Sequence, residues 1–163
     1  MDAEQISFPD SFFDKVISFC VIEHFNDDER VLRHSHRVLK PGGTLVLSCD
    51  SLSNPELTSD ERDAHRKRYA VNELYTVESL GKKLERVGFD IVRHRYILTT
   101  PLTLALVRLT WQLDELTGRL EPLADAAYRV FNTVGRLVSG LAEKLARRSD
   151  TGLTLLVTAR RRS

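Results

Sequence analysis

Two apolar runs of strand length, joined by a capped amphipathic segment and a Pro-Gly-Gly turn, leave this chain few folds to choose from. Residues 15–22, Lys-Val-Ile-Ser-Phe-Cys-Val-Ile, are β-branched and aromatic in near-continuous apolar order. That pattern predicts a strand buried on both faces, as in a parallel sheet covered by helices. Asn26 is placed to cap a helix, with Glu29 three residues on to answer it and Asp27 and Asp28 at the positive helix end. Val31, Leu32, Ser35, Val38 and Leu39 fall on one helical face. Pro41-Gly42-Gly43 stops the helix, and Thr44 to Cys49 reads as a second buried strand. Strand, helix, tight turn, strand is a βαβ unit, and its strands run parallel.

The rest of the chain extends this unit. Residues 50–75 are polar and irregular, with a short helix expected over Ser59–Lys67. Thr76 caps a helix whose apolar face is Val77, Leu80, Leu84 and Val87, closed by Gly88. A strand is expected at Asp90–Thr99. After Pro101 an apolar stripe of leucines recurs at helical spacing from Leu102 to Leu120, and a second runs from Leu123 to Leu145. The two stripes predict a helical hairpin over 101–149. Asp150-Thr151-Gly152 turns the chain into a closing strand at Leu153–Ala159.

Composition narrows the function classes. With 29% charged and 42% apolar residues over 163 positions, the chain has the make-up of one globular domain. A net charge of +1, with no basic block interleaved with aromatics, argues against nucleic acid as a partner. No run of about 18 apolar residues is present to span a membrane, and no signal peptide opens the chain. Cys20 and Cys49 lie in strand-like apolar runs and read as buried, reduced thiols of a cytoplasmic protein. His34 and His36 are two apart on a helix and face different ways, and no His/Cys/Asp cluster has metal spacing.

The block from Asp2 to Ser48 resembles the middle of a class I S-adenosylmethionine (SAM)-dependent methyltransferase of the small-molecule type. Phe12-Phe13-Asp14 leading into a strand that ends in Ile22-Glu23-His24, then Leu39-Lys40-Pro41-Gly42-Gly43, carry the likeness. The resemblance implies an α/β fold: a partial Rossmann-like sheet, mostly parallel, with a final antiparallel strand at Leu153–Ala159. Residues 1–163 would be the C-terminal portion of one methyltransferase domain, with 101–149 as an inserted helical hairpin. It implies SAM as cofactor. Asp2 and Ala3 would contact the adenine, Asp2 accepting a hydrogen bond from its amino group, and the position of Phe19 touches SAM largely through backbone. Phe8 and Phe12 are expected to pack beneath that loop.

Ligands of open α/β sheets bind outside the carboxyl ends of the strands. This puts Phe19, Cys20, Val21 and His24 at the expected cleft. Two readings of Glu23-His24 stand side by side: a hydrogen-bonded brace for the turn, and a general base at His24. Asp50, at the end of the second strand, either binds a substrate hydroxyl or forms a turn with Ser51. His65, Tyr69 and Tyr75 lie in the loop expected to cover a small-molecule acceptor.

One departure from the resembled family is large. Its glycine-rich SAM loop lies upstream of this block, and only thirteen residues precede Asp14. The resemblance therefore implies a chain carrying the acceptor half of the site. The alternative is a non-catalytic half-fold that acts as an interaction module, by self-association or by pairing with an N-terminal half.

Overall fold

In the computed structural model, residues 6–117 and 149–163 are described, with 135, 137, 138, 140–142 and 144 between them. Contacts divide the chain into two units, Met1–Ile97 with Asp150–Ser163, and Leu98–Ser149.

The first unit is built on a four-stranded mixed sheet. Strand β1 spans Phe13–Phe19 and is followed by a single 3-10 turn at Ile22–His24. Helix α1 covers Asp28–Val38, β2 Leu39–Asp50, α2 Ser59–Tyr69, α3 Val77–Val87 and β3 Phe89–Ile97. β4, Thr154–Arg161, follows the second unit in the chain. The sheet order is β1-β2-β4-β3. β1 and β2 are parallel, and β4 runs antiparallel between β2 and β3. The carboxyl ends of β1, β2 and β3 therefore lie on one side of the sheet.

The βαβ unit forms as its pattern predicts, with shifted limits. The first strand ends at Phe19, and Ile22, expected in it, belongs to the following turn. The cap of α1 is Asp27, whose carboxylate accepts the Arg30 N–H at 3.0 Å, where Asn26 was expected. An ionised acceptor at the positive helix end is the stronger of the two. Glu29 instead pairs with Arg86 at 2.9 Å. The Pro-Gly-Gly segment sits within β2 as a bulge: Phe13 pairs with Leu39, yet Lys15 pairs with Thr44. Gly42 is left-handed there, and a Cβ on Gly43 would stand 2.7 Å from the Lys40 carbonyl oxygen.

One face of the sheet is packed. Leu45, Leu47, Leu155, Val157 and Ala159 meet Leu32 of α1, Leu80 and Leu84 of α3, and Tyr75 in a continuous core. Asp28 ties the two helices, accepting hydrogen bonds from the Tyr75 hydroxyl and the Lys83 ammonium. Tyr75 is fully buried in this core, where a place in the loop over the acceptor was expected, and burial pushes its phenol well above the usual range.

β1 departs from the expected double burial. Ile17 and Phe19 are 61% and 59% exposed. Among the described residues β1 pairs with β2 alone and forms a sheet edge, so the apolar alternation has cover on one face only. Phe8 and Phe12 stack on each other, their ring centroids 5.7 Å apart, and both stay exposed where core positions were expected. Cys49 is buried as expected, whereas Cys20 is exposed because the strand ends before it.

In the second unit, α4 spans Pro101–Thr117. The Thr100 hydroxyl accepts the Thr103 N–H at 3.1 Å at its start. Residues 135, 137, 138, 140–142 and 144 are also helical. Most of the second stripe of the expected hairpin lies outside the described residues. No helix of the described residues is long and apolar enough to cross a membrane.

Candidate functional site at the carboxyl ends of the strands

β1 ends one residue before a sharp turn. Cys20 adopts a left-handed backbone with φ of 50°, a conformation uncommon away from glycine. Ser48 of β2 holds it there: the Cys20 N–H donates to the Ser48 carbonyl at 3.0 Å and meets its hydroxyl at 3.2 Å. The Cys20 Sγ lies 3.5 Å from the same hydroxyl. Burial holds the thiol above its usual pKa, against the lowering effect of the Ser48 hydrogen bond.

The turn that follows carries Glu23 into the interior, where it is fully buried. Its Oε1 accepts the Asp50 backbone N–H at 3.1 Å, joining the end of β1 to the end of β2. Its Oε2 is buried without a hydrogen-bond partner. Burial raises the Glu23 carboxyl above the usual carboxylate range, since a desolvated carboxylate favours its neutral form. The Glu23 carbonyl accepts from the N–H groups of Asn72 and Glu73, at 2.8 and 3.2 Å, which pins the segment after α2 to the turn.

His24 stands at the same turn but faces another neighbour. Its Nδ1 lies 3.2 Å from the Ala70 carbonyl oxygen at the end of α2. A carbonyl only accepts, so Nδ1 carries the proton and the neutral ring presents Nε2 as its acceptor. The side chain of Asn72 donates to the His24 carbonyl at 2.7 Å. The brace is thus present, and the tautomer is also one that a base requires.

Asp50, His65 and Tyr69, picked separately from the sequence, come together. The His65 Nε2 donates to Asp50 Oδ2 at 2.7 Å, both side chains being largely buried. The Tyr69 ring lies 4.6 Å from the His65 ring, centroid to centroid. The Asp50 carbonyl accepts the Tyr75 N–H at 2.9 Å, which fixes the strand end from its other side. Phe19 stands exposed at the carboxyl end of β1. Asp2 and Ala3 lie outside the described residues.

The sequence reading missed one grouping. Potential ligand atoms of Cys20, Glu23 and Asp50 all lie within 4.8 Å of one another. Asp50 is 27 residues from Glu23, so no local spacing announces the cluster. Only the parallel pairing of β1 and β2 brings the three together.

A family model described as a methyltransferase domain matches residues 1–47. The chain is 29% identical over 139 residues to the ubiquinone/menaquinone biosynthesis C-methyltransferase UbiE of Vibrio parahaemolyticus. That match covers 85% of this chain and 47% of the relative. The chain is thus similar to class I SAM-dependent methyltransferases, in sequence over this stretch and in fold. A phosphoethanolamine N-methyltransferase of Triticum aestivum is 34% identical over 92 residues, 56% of this chain and 18% of that one. Among solved structures, phosphoethanolamine N-methyltransferase 2 of Haemonchus contortus, in complex with S-adenosyl-L-methionine, superposes with a TM-score of 0.64 at 17% identity. That likeness covers 99% of this chain and 36% of the neighbour. The [4+2]-cyclase SpnF superposes with a TM-score of 0.60 at 20% identity, covering 99% of this chain and 54% of the cyclase. At these identities the likeness shows the fold, and a cyclase on the same fold separates fold from reaction. The chain spans about half the length of the curated relatives it matches.

Proposed function

We propose that this chain supplies the acceptor side of a SAM-dependent methyltransferase acting on a small acceptor, apolar or linked to a lipid or sugar. The observation that carries the reading is the meeting of Asp50, His65 and Tyr69 at the carboxyl end of β2, beside Phe19 at the end of its parallel neighbour. This is where open α/β sheets place their ligands. In this reading residues 1–163 are one portion of a methyltransferase domain that works in the cytoplasm, and 101–149 are a helical insertion within it.

The described residues fit part of the cofactor. Phe19 is a large apolar ring, 59% exposed at a strand end, and an exposed aromatic there suits one wall of a purine site. Phe19 would hold the adenine from one side, with Asp2 and Ala3 reading its amino edge. When bound, SAM supplies a methyl group already activated on a sulfonium. The chain then needs chiefly to orient the acceptor. Asp50, fixed by His65, accepts a hydrogen bond from an acceptor hydroxyl, and the Tyr69 ring flanks it. The Nε2 of His24 takes a proton where the acceptor must lose one.

Titration of the chain with S-adenosylhomocysteine tests this. Binding weaker than micromolar is expected, because an adenine wall alone does not reach about −8 kcal/mol. Phe19→Ala should abolish it. No detectable binding at millimolar ligand, or binding indifferent to Phe19→Ala, rejects the cofactor assignment.

The exposed apolar edge of β1 favours a second reading, a non-catalytic module that pairs with another chain. Methyl transfer from labelled SAM to phenolic and phosphoethanolamine acceptors separates the two. Turnover lost in Asp50→Asn supports the enzyme, and a folded chain that pairs without turnover supports the module.

A further inference from the structure

We propose that Cys20, Glu23 and Asp50 form a site for a divalent cation of the zinc class, at the carboxyl ends of β1 and β2. The inference stands on the geometry of these three side chains and does not require the methyl-transfer reading.

Their ligand atoms already lie within 4.8 Å of one another. Two donors on one tetrahedral zinc ion, with bonds of about 2.0–2.3 Å, sit roughly 3.3–3.7 Å apart. An ion bound there would draw the donors about 1 Å closer together.

Glu23 is the observation that points to a ligand. It is fully buried, its Oε1 is taken by the Asp50 N–H at 3.1 Å, and its Oε2 is enclosed with no hydrogen-bond partner. A buried carboxylate oxygen in that position calls for a positive charge or a donor. The other two groups stand beside it with oriented supports. Asp50 Oδ2 accepts from His65 Nε2 at 2.7 Å. The Cys20 Sγ is 3.5 Å from the Ser48 hydroxyl. Partners that hold ligands in this way from behind are the usual accompaniment of a metal site.

The donor set selects the ion. One thiolate with two carboxylates is too soft for Mg2+ or Ca2+, which take oxygen only, and suits Zn2+. Three protein ligands leave a fourth position open to water or to an incoming oxygen.

Co2+ is the probe, because a thiolate bound to it gives a charge-transfer absorption in the near ultraviolet. The full 163-residue chain, reduced and freed of metal by a chelator, is titrated with Co2+ while circular dichroism monitors the fold. One equivalent per chain is expected to raise the band, and Zn2+ to displace it. Cys20→Ser should abolish the band. Asp50→Asn and Glu23→Gln should each weaken Co2+ binding at least tenfold. Should Glu23→Gln lose its fold, Cys20→Ser and Asp50→Asn decide alone, since neither residue is fully buried. Absence of the band at saturating Co2+ overturns the site. So does a band that survives Cys20→Ser, which would place the metal on Cys49, or an affinity unchanged in Asp50→Asn, which would mark an adventitious ion only.

Discussion

The carboxylate of Glu23 accepts the backbone N–H of Asp50 at 3.1 Å, so the turn after β1 is tied to the last residue of β2. One hydrogen bond thereby sets the spacing of the two strand ends that frame the candidate site. Removing it leaves a partly buried N–H without a partner, a loss of about 1–3 kcal/mol. Glu23→Ala should destabilise the chain by about that amount in urea unfolding. Glu23→Gln keeps an acceptor oxygen and should retain most of the stability. Equal losses in both variants would show that the hydrogen bond does not matter.

His36 gives the fold a pH dependence of predictable sign. Its imidazole is half-buried, its ring meeting Phe89 edge-on at 5.2 Å. Burial, and then the Arg161 guanidinium, hold its pKa below the usual range, while a hydrogen bond with the Gly88 backbone opposes them. The folded chain therefore keeps His36 neutral at a pH where the unfolded chain protonates it, near 6.5. The stability this confers is complete above about pH 6.5 and is lost as pH falls through the lower folded value. His36→Gln should remove that part of the slope. Unfolding free energies of both proteins across pH 5–7.5 check it, and parallel profiles would rule His36 out.

Gly88 closes α3 with φ of 97°, and a Cβ there would stand 2.9 Å from His36 Nε2. Gly88→Ala therefore carries two penalties: a left-handed backbone, about 1–2 kcal/mol, and a collision with His36. His36→Ala in the same background relieves the collision and leaves the backbone term. A double-mutant cycle in thermal unfolding should show positive coupling. Strict additivity would mean that His36 moves aside freely.

What the sequence disclosed followed the range of each signal. The Thr76 cap and the Gly88 stop were legible because both act within one turn of helix, and the structure has the Thr76 hydroxyl on the Ser79 N–H. The βαβ unit was legible from the periods of its apolar runs. Asp50 stands out in the sequence by its place at a strand end, and His65 and Tyr69 by lying in the loop expected to cover the acceptor. That they touch depends on α2 bringing His65 to the end of β2, which no local pattern encodes. Glu23 was recognised as a brace, but its burial beside Cys20 depends on strand pairing. The limits of β1 differ for a related reason: Ile22 is as apolar as a strand residue, yet the left-handed backbone at Cys20 turns the chain out of the ladder before it.

The edge of β1 carries the last prediction. Among the described residues its outer row of N–H and C=O groups is unpaired, and Ile17 and Phe19 stand 61% and 59% exposed beside it. Edge strands are commonly blunted by proline, bulges or inward-pointing charges. Here Asp14 is held by Lys40 at 2.8 Å, and Lys15 alone among the central residues offers a charge, so the apolar half of the strand is undefended. Contiguous exposed apolar surface of this kind drives association. The chain should self-associate in a concentration-dependent way, seen by size-exclusion chromatography with light scattering. Ile17→Lys sets a charge in the middle of the edge. Because Ile17 is largely exposed, the change should alter stability by no more than about 0.5 kcal/mol, while shifting the protein toward monomer. A wild-type chain that stays monomeric at every concentration, with cooperative unfolding, would show the edge to be closed.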